Sequence, residues 1–303
     1  MGRARRELVE PASDPPRSTL LGLALGTAAA VCWGLGPVAT KATLASFSPQ
    51  LVGVTRLTAA AVCFRVLGGA GTRWLPRDGW SAFAGFALGV DFLLFNFGVR
   101  LTTAAVAGLL VNFGQVSNVV LARALLGERL TARRVTGAAL TLAGVVIVNT
   151  RGRGLDDAGS IGGNVLVMLA SVAWSTYAVA QRRAPRAGNV FQLLTPIFVV
   201  AALVSLPALL APETWGNGVD PLEVRAVVML AVLIGACTIA PYLFYSHGQE
   251  VLDVIVLTIV LASAPVFAVA FSWLILGEAI GWRVVAGGAV ILAGIVVVAI
   301  ERR

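Results

Sequence analysis

Three ionisable residues stand inside apolar stretches of this chain: Lys41, Arg56 and Asp91. A charge at the centre of a bilayer costs about 2.5–3.5 kcal/mol on insertion scales, so each must face the protein interior or water and find a partner. Asp91 falls near the middle of its stretch, and Arg56 lies about two turns in from the end of the preceding one. Two readings are open for Asp91. It is one half of a structural ion pair with Arg56 or Lys41, or it is a proton-coupling carboxylate or the counter-ion of a bound amine. Farther on, Asn112, Gln115 and Asn118 recur at every third position of an otherwise apolar run. On a helix they form one slowly drifting stripe. Amides in lipid need partners, so the stripe faces inward, either as interhelical glue or as contacts to a solute.

Aromatic residues complete the set. Trp33 and Trp174 fall at mid-helix, away from the interface where tryptophan usually sits, and line an internal space or pack within the bundle. Tyr177 and Tyr245 carry hydroxyls that need partners when buried. Phe92 and Phe95 stand where a second copy of the pattern has Tyr242 and Tyr245, an aromatic face repeated in each half. The only histidine, His247, lies near a predicted helix end. These residues make no nucleophile–base pair, metal-ligand cluster or phosphate loop, so no enzyme, cofactor or metal is expected. The three cysteines, Cys32, Cys63 and Cys237, sit in apolar runs as small hydrophobes rather than as a disulfide framework.

These side chains must be positioned by membrane-spanning helices. The chain is 58% hydrophobic and 13% charged, where soluble domains carry about a quarter charged residues. The net charge of +8 is scattered through short loops, which reads as a topology signal and not as a nucleic-acid surface. Segments long enough to cross a bilayer, about 17–25 residues, fall at Leu20–Leu44, Pro49–Gly68, Trp80–Leu101, Thr103–Leu125 and Ala132–Asn149. A second set falls at Ile161–Gln181, Val190–Leu210, Val224–His247, Val251–Leu276 and Trp282–Ile300. The fold class expected is therefore an all-α membrane protein of about ten transmembrane helices, with a polar tail over 1–19 and a linker over Arg151–Ser160.

The two sets are copies. Leu126-Gly127-Glu128 and Leu276-Gly277-Glu278 open similar glycine-rich runs, in which Arg133 meets Arg283, Gly137 meets Gly287 and Leu142-Ala143-Gly144 meets Leu292-Ala293-Gly294. The same alignment matches Trp33 with Trp174 and Lys41 with Arg182. Both glutamates precede another helix, where exposed amides and the helix dipole favour an anion. Five helices per copy is an odd number, so the copies must enter the membrane from opposite sides as an inverted pair around a pseudo-twofold axis in the membrane plane, the plan of many transporters. With the N-terminus in the cytoplasm, arginines favour the inner side roughly two to one, which places both termini inside. Trp74, Trp80, Trp215 and Trp282 lie near helix ends, as interfacial anchors do.

With these features the chain resembles the drug/metabolite transporter superfamily, in particular its ten-helix EamA-type members. The residues that carry the likeness are Trp33-Gly34 and Lys41, Arg56, both Leu-Gly-Glu turns with the glycine-rich helices after them, and the Trp174 to Arg182 segment. The resemblance covers Leu20 to Ile300, as repeats over 20–150 and 161–300. It implies a basket of helices around a cavity, with the fifth and tenth helices as buttresses, and transport of small organic solutes across the plasma membrane. Gln115 departs from it, standing where the second copy has Pro265 and where the family usually has proline. The expected solute contacts are Trp33, Asn112, Gln115, Trp174, Tyr177 and Tyr245, with Asp91, Arg56 and Lys41 tuning charge or coupling. The function expected is secondary transport of a small organic solute (an amino acid, another metabolite or an amphiphilic drug) by alternating access, with proton-coupled export as one form of it. The alternatives are an uncoupled facilitator and, more distantly, a membrane-embedded scaffold or enzyme. The expected partners are a small-molecule solute and the lipid bilayer.

Overall fold

The computed structural model describes residues 17–126, 131–149, 160–185, 188–211, 224–251, 257, 260–261 and 263–299, and every regular element among them is helical. The first half contains α1 (Arg17–Thr43), α2 (Pro49–Leu67), α3 (Gly79–Leu101), α4 (Ala104–Leu110), α5 (Gly114–Leu126) and α6 (Ala132–Asn149). The second contains α7 (Ile161–Arg183), α8 (Val190–Ser205), α9 (Val224–Ile234), α10 (Ala240–Val251), α11 (Ala264–Phe271) and α12 (Trp282–Ala299). Six continuous spans are long and apolar enough to cross a membrane, the last of them running from α9 into α10. The chain is a multi-pass membrane protein.

Four expected spans are not regular, the seventh ending in a 3-10 turn at Leu206–Leu210 and the ninth in a π turn at Ser272–Leu276. The fourth is broken by a 3-10 turn at Val111–Phe113, between α4 and α5. The eighth carries a π turn at Gly235–Ile239, between α9 and α10. Helix starts follow the sequence closely. Ser48, Asp78, Thr103, Ser160 and Asn189 each accept the backbone N–H three residues on, which satisfies amides a helix start leaves open. Pro49 occupies the first turn of α2, where its missing N–H is no loss.

The halves face one another. α1 packs on α9, α10 and α11, while α3 packs on α7 and α8, and α2 lies against α8. Leu57, Phe64, Leu88, Ile197 and Phe198 are fully enclosed where α2, α3, α7 and α8 meet. Lipid is as apolar as leucine, so association in the bilayer depends on close fit, which small residues allow. α6 and α12 show this most plainly. A Cβ on Gly144 would lie 2.6 Å from the Gly287 carbonyl oxygen, and one on Gly294 would lie 2.6 Å from that of Gly137. As the numbers rise along α12 they fall along α6, so the two helices run antiparallel with their backbones in contact.

The elbow between α3 and α4 is closed by a dense set of hydrogen bonds. Lys41 Nζ donates to the carbonyls of Val99, Arg100 and Thr102 at 3.0, 3.1 and 2.6 Å, closing the C-terminus of α3. The Glu278 carboxylate accepts the N–H groups of Ala104 and Ala105 at 2.8 and 3.0 Å, closing the start of α4, and also accepts from the Ser272 hydroxyl. The Ser160 amide donates to Leu101 O at 3.0 Å, and Thr102 Oγ1 donates to Asn164. This corrects the expectation for Glu278: the amides it satisfies belong to α4 and not to the helix that follows it. Glu128, its counterpart, lies outside the described residues. Trp74, Trp80 and Trp282 each take an arginine over the ring, Arg65, Arg183 and Arg283 respectively. Trp215 also lies outside the described residues.

Two substitutions test this packing. Gly144→Leu forces the α6–α12 backbones apart and is expected to cost about 1–3 kcal/mol. Glu278→Ala leaves the Ala104 and Ala105 amides open and is expected to cost a similar amount, about 1–3 kcal/mol. Thermal melting of the purified protein in detergent reads both, and an unchanged midpoint in either variant contradicts the corresponding contact.

Candidate functional site

Five aromatic rings from three helices converge at mid-bundle. α1 supplies Trp33, α7 supplies Trp174 and Tyr177, and α10 supplies Tyr242 and Tyr245. The Trp33 ring lies 6.1 Å from Trp174, 6.0 Å from Tyr242 and 5.7 Å from Tyr245, measured between centroids. Trp174 lies 5.1 Å from Tyr177 and 6.1 Å from Tyr242. Edge-to-face approaches dominate, as ring quadrupoles favour. Trp33, Trp174 and Tyr245 are half-buried, whereas Tyr177 and Tyr242 are buried, and Phe198 supports Tyr242 from α8 at 5.0 Å. One turn beyond Trp33, Gly36 is buried, yet a Cβ there would meet no atom within 4 Å. The α1 face that carries Trp33 thus borders open space inside the bundle.

Charge flanks the rings on one side. Arg56 of α2 is buried, its Nε donates to Thr238 Oγ1 at 3.0 Å, and its Cζ lies 4.6 Å from the centroid of the Phe92 ring. Asp91, the residue before Phe92, is half-buried and close enough to act electrostatically on Arg56, Tyr177 and Tyr242. Among the described residues the two carry no salt bridge within the 4.0 Å limit of an ion pair. The Asp91 carboxylate and the terminal nitrogens of Arg56 make no hydrogen bond there either. Arg56 and Asp91 therefore stand beside the same aromatic group with no direct contact between them among the described residues.

Of the residues singled out in the sequence, the fold brings Trp33, Trp174, Tyr177 and Tyr245 together and sets Arg56 and Asp91 beside them. Lys41 stands apart from that group, its ammonium donating to the carbonyls of Val99, Arg100 and Thr102. Asn112 is half-buried and turns its amide back on its own helix, donating to Gly108 O at 3.2 Å and Leu109 O at 3.1 Å where α4 breaks. The side chains of Gln115 and Asn118 lie outside the described residues. His247 is exposed at the end of α10, with Nδ1 2.9 Å from Leu243 O. Tyr242 was legible only as the counterpart of Phe92. Thr238 carried no signal, since its role depends on the π turn that holds it.

A polytopic helical protein with a part-accessible, charge-flanked aromatic group between its halves has the architecture of a membrane transporter. The EamA-like transporter family matches residues 20–150 and 161–300, and the chain belongs to that family. Among its relatives, an uncharacterized transporter of Archaeoglobus fulgidus is 24% identical over 273 residues, 89% of this chain and 95% of that protein. The aromatic amino acid exporter YddG of Ancylobacter novellus is 29% identical over 259 residues, 80% of this chain and 85% of that protein. A crystal structure with 24% identity superposes with a TM-score of 0.62, covering 94% of this chain and 97% of the other, a likeness of fold.

The space beside Gly36 gives a test that needs no solute. Gly36→Ala adds a methyl group against no neighbour and removes a helical glycine, so it is expected to stabilise the protein by about 0.5–1 kcal/mol. A lowered melting midpoint would show that the space is filled.

Proposed function

We propose that this protein is a secondary transporter of the plasma membrane for zwitterionic aromatic amino acids. It works by alternating access between inverted halves, with both termini in the cytoplasm. The observation that carries the reading is the placement of Arg56 and Asp91, unpaired with each other, beside the five rings. A guanidinium matches a carboxylate in two parallel hydrogen bonds, and a carboxylate matches an ammonium. An amino acid presents both groups on one carbon, and the Trp33, Trp174, Tyr177, Tyr242 and Tyr245 rings suit an aromatic side chain next to them. Phosphate esters would want several convergent cations, and Arg56 is a single one. The relative from Ancylobacter is named for aromatic amino acid export, which supports both the solute class and the outward direction.

Two features support alternating access. The antiparallel α6–α12 contact pairs Gly144 with Gly287 and Gly137 with Gly294, so each glycine meets the counterpart of the other pair's partner. Likewise Gly34 of α1 approaches the Ala264 carbonyl of α11, while Ser175 of α7 donates to the Gly114 carbonyl of α5 at 2.9 Å. Exchange of corresponding contacts is what a twofold axis in the membrane plane produces. Asp91 is then the group through which a proton gradient couples to the solute, since a proton and a solute ammonium compete for one carboxylate.

Proteoliposome flux measurements test the proposal. Labelled L-phenylalanine or L-tryptophan is expected to move at least about tenfold faster than L-leucine, and Arg56→Gln or Asp91→Asn is expected to lower kcat/KM at least about tenfold. Asp91→Asn should also abolish any dependence on a pH gradient. Equal flux of aromatic and aliphatic amino acids sinks the assignment of the solute. Wild-type flux indifferent to the gradient makes the protein a facilitator, with Asp91 a fixed counter-ion.

A further inference from the structure

We infer that Thr238 is a positioning residue for solute selection, acting through Arg56 from within the π turn of the eighth span. The inference rests on the reading of Arg56 as the carboxylate receptor. The π turn Gly235–Ile239 widens the helix by one residue, a feature that recurs at functional sites. Within this turn the Thr238 hydroxyl donates to the Leu233 carbonyl, five residues back, at 2.8 Å. A hydroxyl has one proton. With it committed to Leu233 O, Thr238 Oγ1 faces Arg56 as an acceptor only, and receives Nε–H at 3.0 Å.

That single bond settles which edge of the guanidinium is left over. Nε is consumed, and the Phe92 ring lies against the planar group at 4.6 Å. The two terminal nitrogens remain, the fork that grips a carboxylate with two donors. Thr238 is fully buried and Arg56 is 6% exposed, so the arrangement is shielded from water that could supply a substitute acceptor. Valine has the shape of threonine without the acceptor. In Thr238→Val the buried Nε–H has no partner, so the guanidinium turns to find one, and the fork leaves the solute position. Serine keeps the hydroxyl and the wide turn, so Thr238→Ser keeps the fork in place. A merely adhesive role, holding α2 against the eighth span, would change stability without changing what is selected.

The experiment compares competition by L-phenylalanine and by its methyl ester against labelled L-phenylalanine in proteoliposomes, with melting midpoints measured alongside. The ester keeps the ring and the ammonium and loses the carboxylate charge. Wild type and Thr238→Ser are expected to prefer the acid at least about tenfold, and Thr238→Val to lose that preference. Should the valine variant fail to purify, Thr238→Ala takes its place and is read on the same ratio. Retention of the preference in the valine or alanine variant, with its loss in Arg56→Gln, overturns the role of Thr238 and leaves Arg56 as the receptor. A wild type that does not distinguish acid from ester removes the receptor itself, and with it the proposed function.

Discussion

A bilayer supplies no water to a backbone that leaves its helix, so every break must be closed by the protein. The elbow between α3 and α4 meets this constraint with side-chain charges. The last carbonyls of α3 are taken by one ammonium, from Lys41, and the first amides of α4 by one carboxylate, from Glu278. The dipoles of the two helix ends favour those signs. Thr102 and Ser160 extend the network to the start of α7 through Asn164 and Leu101. With the elbow fixed, α3 lies on α7 and α8, and that contact sets Asp91 and Phe92 beside Arg56. The site is thus held by bonds made at its far margin as well as by packing within it.

Within the bundle the same constraint has been used differently. Lys41 and Glu278 are saturated by hydrogen bonds, whereas Arg56 spends one donor and Asp91 spends nothing on the described protein atoms. Charges that are complete hold structure, and charges that are incomplete leave capacity for something else. The two π turns described in the second half sort in the same way. The π turn at Ser272–Leu276 brings a hydroxyl to Glu278 and closes a helix end, and the π turn at Gly235–Ile239 brings a hydroxyl to Arg56 and leaves its fork open.

Much of this was legible in the sequence. Apolar length gave the spans, and the repeated Leu-Gly-Glu gave a register that matched Trp33 with Trp174, whose rings meet in the fold. Tyr177 and Tyr245 were legible because tyrosine in lipid must find company. What could not be read were partners set by tertiary contact. Lys41 and Glu278 had the chemistry of helix caps, but the helix ends they serve are remote in sequence. Asn112 had the chemistry of a ligand contact, and a local break in its own helix gives its donors nearer carbonyls. Thr238 was silent because a π turn is a pattern of backbone bonding, with no composition to mark it.

The elbow also has a history in each molecule. Its amides at Ala104 and Ala105 are made 174 and 173 residues away from the carboxylate that receives them. At synthesis rates of about 5–20 residues per second, that separation is roughly 10–35 s of translation. During that interval the start of α4 has no Glu278 to close it, and the nascent first half holds an open helix end. Completion of the first half is therefore an event of the second half's biogenesis. The two halves mature as one unit, in the order the ribosome delivers them.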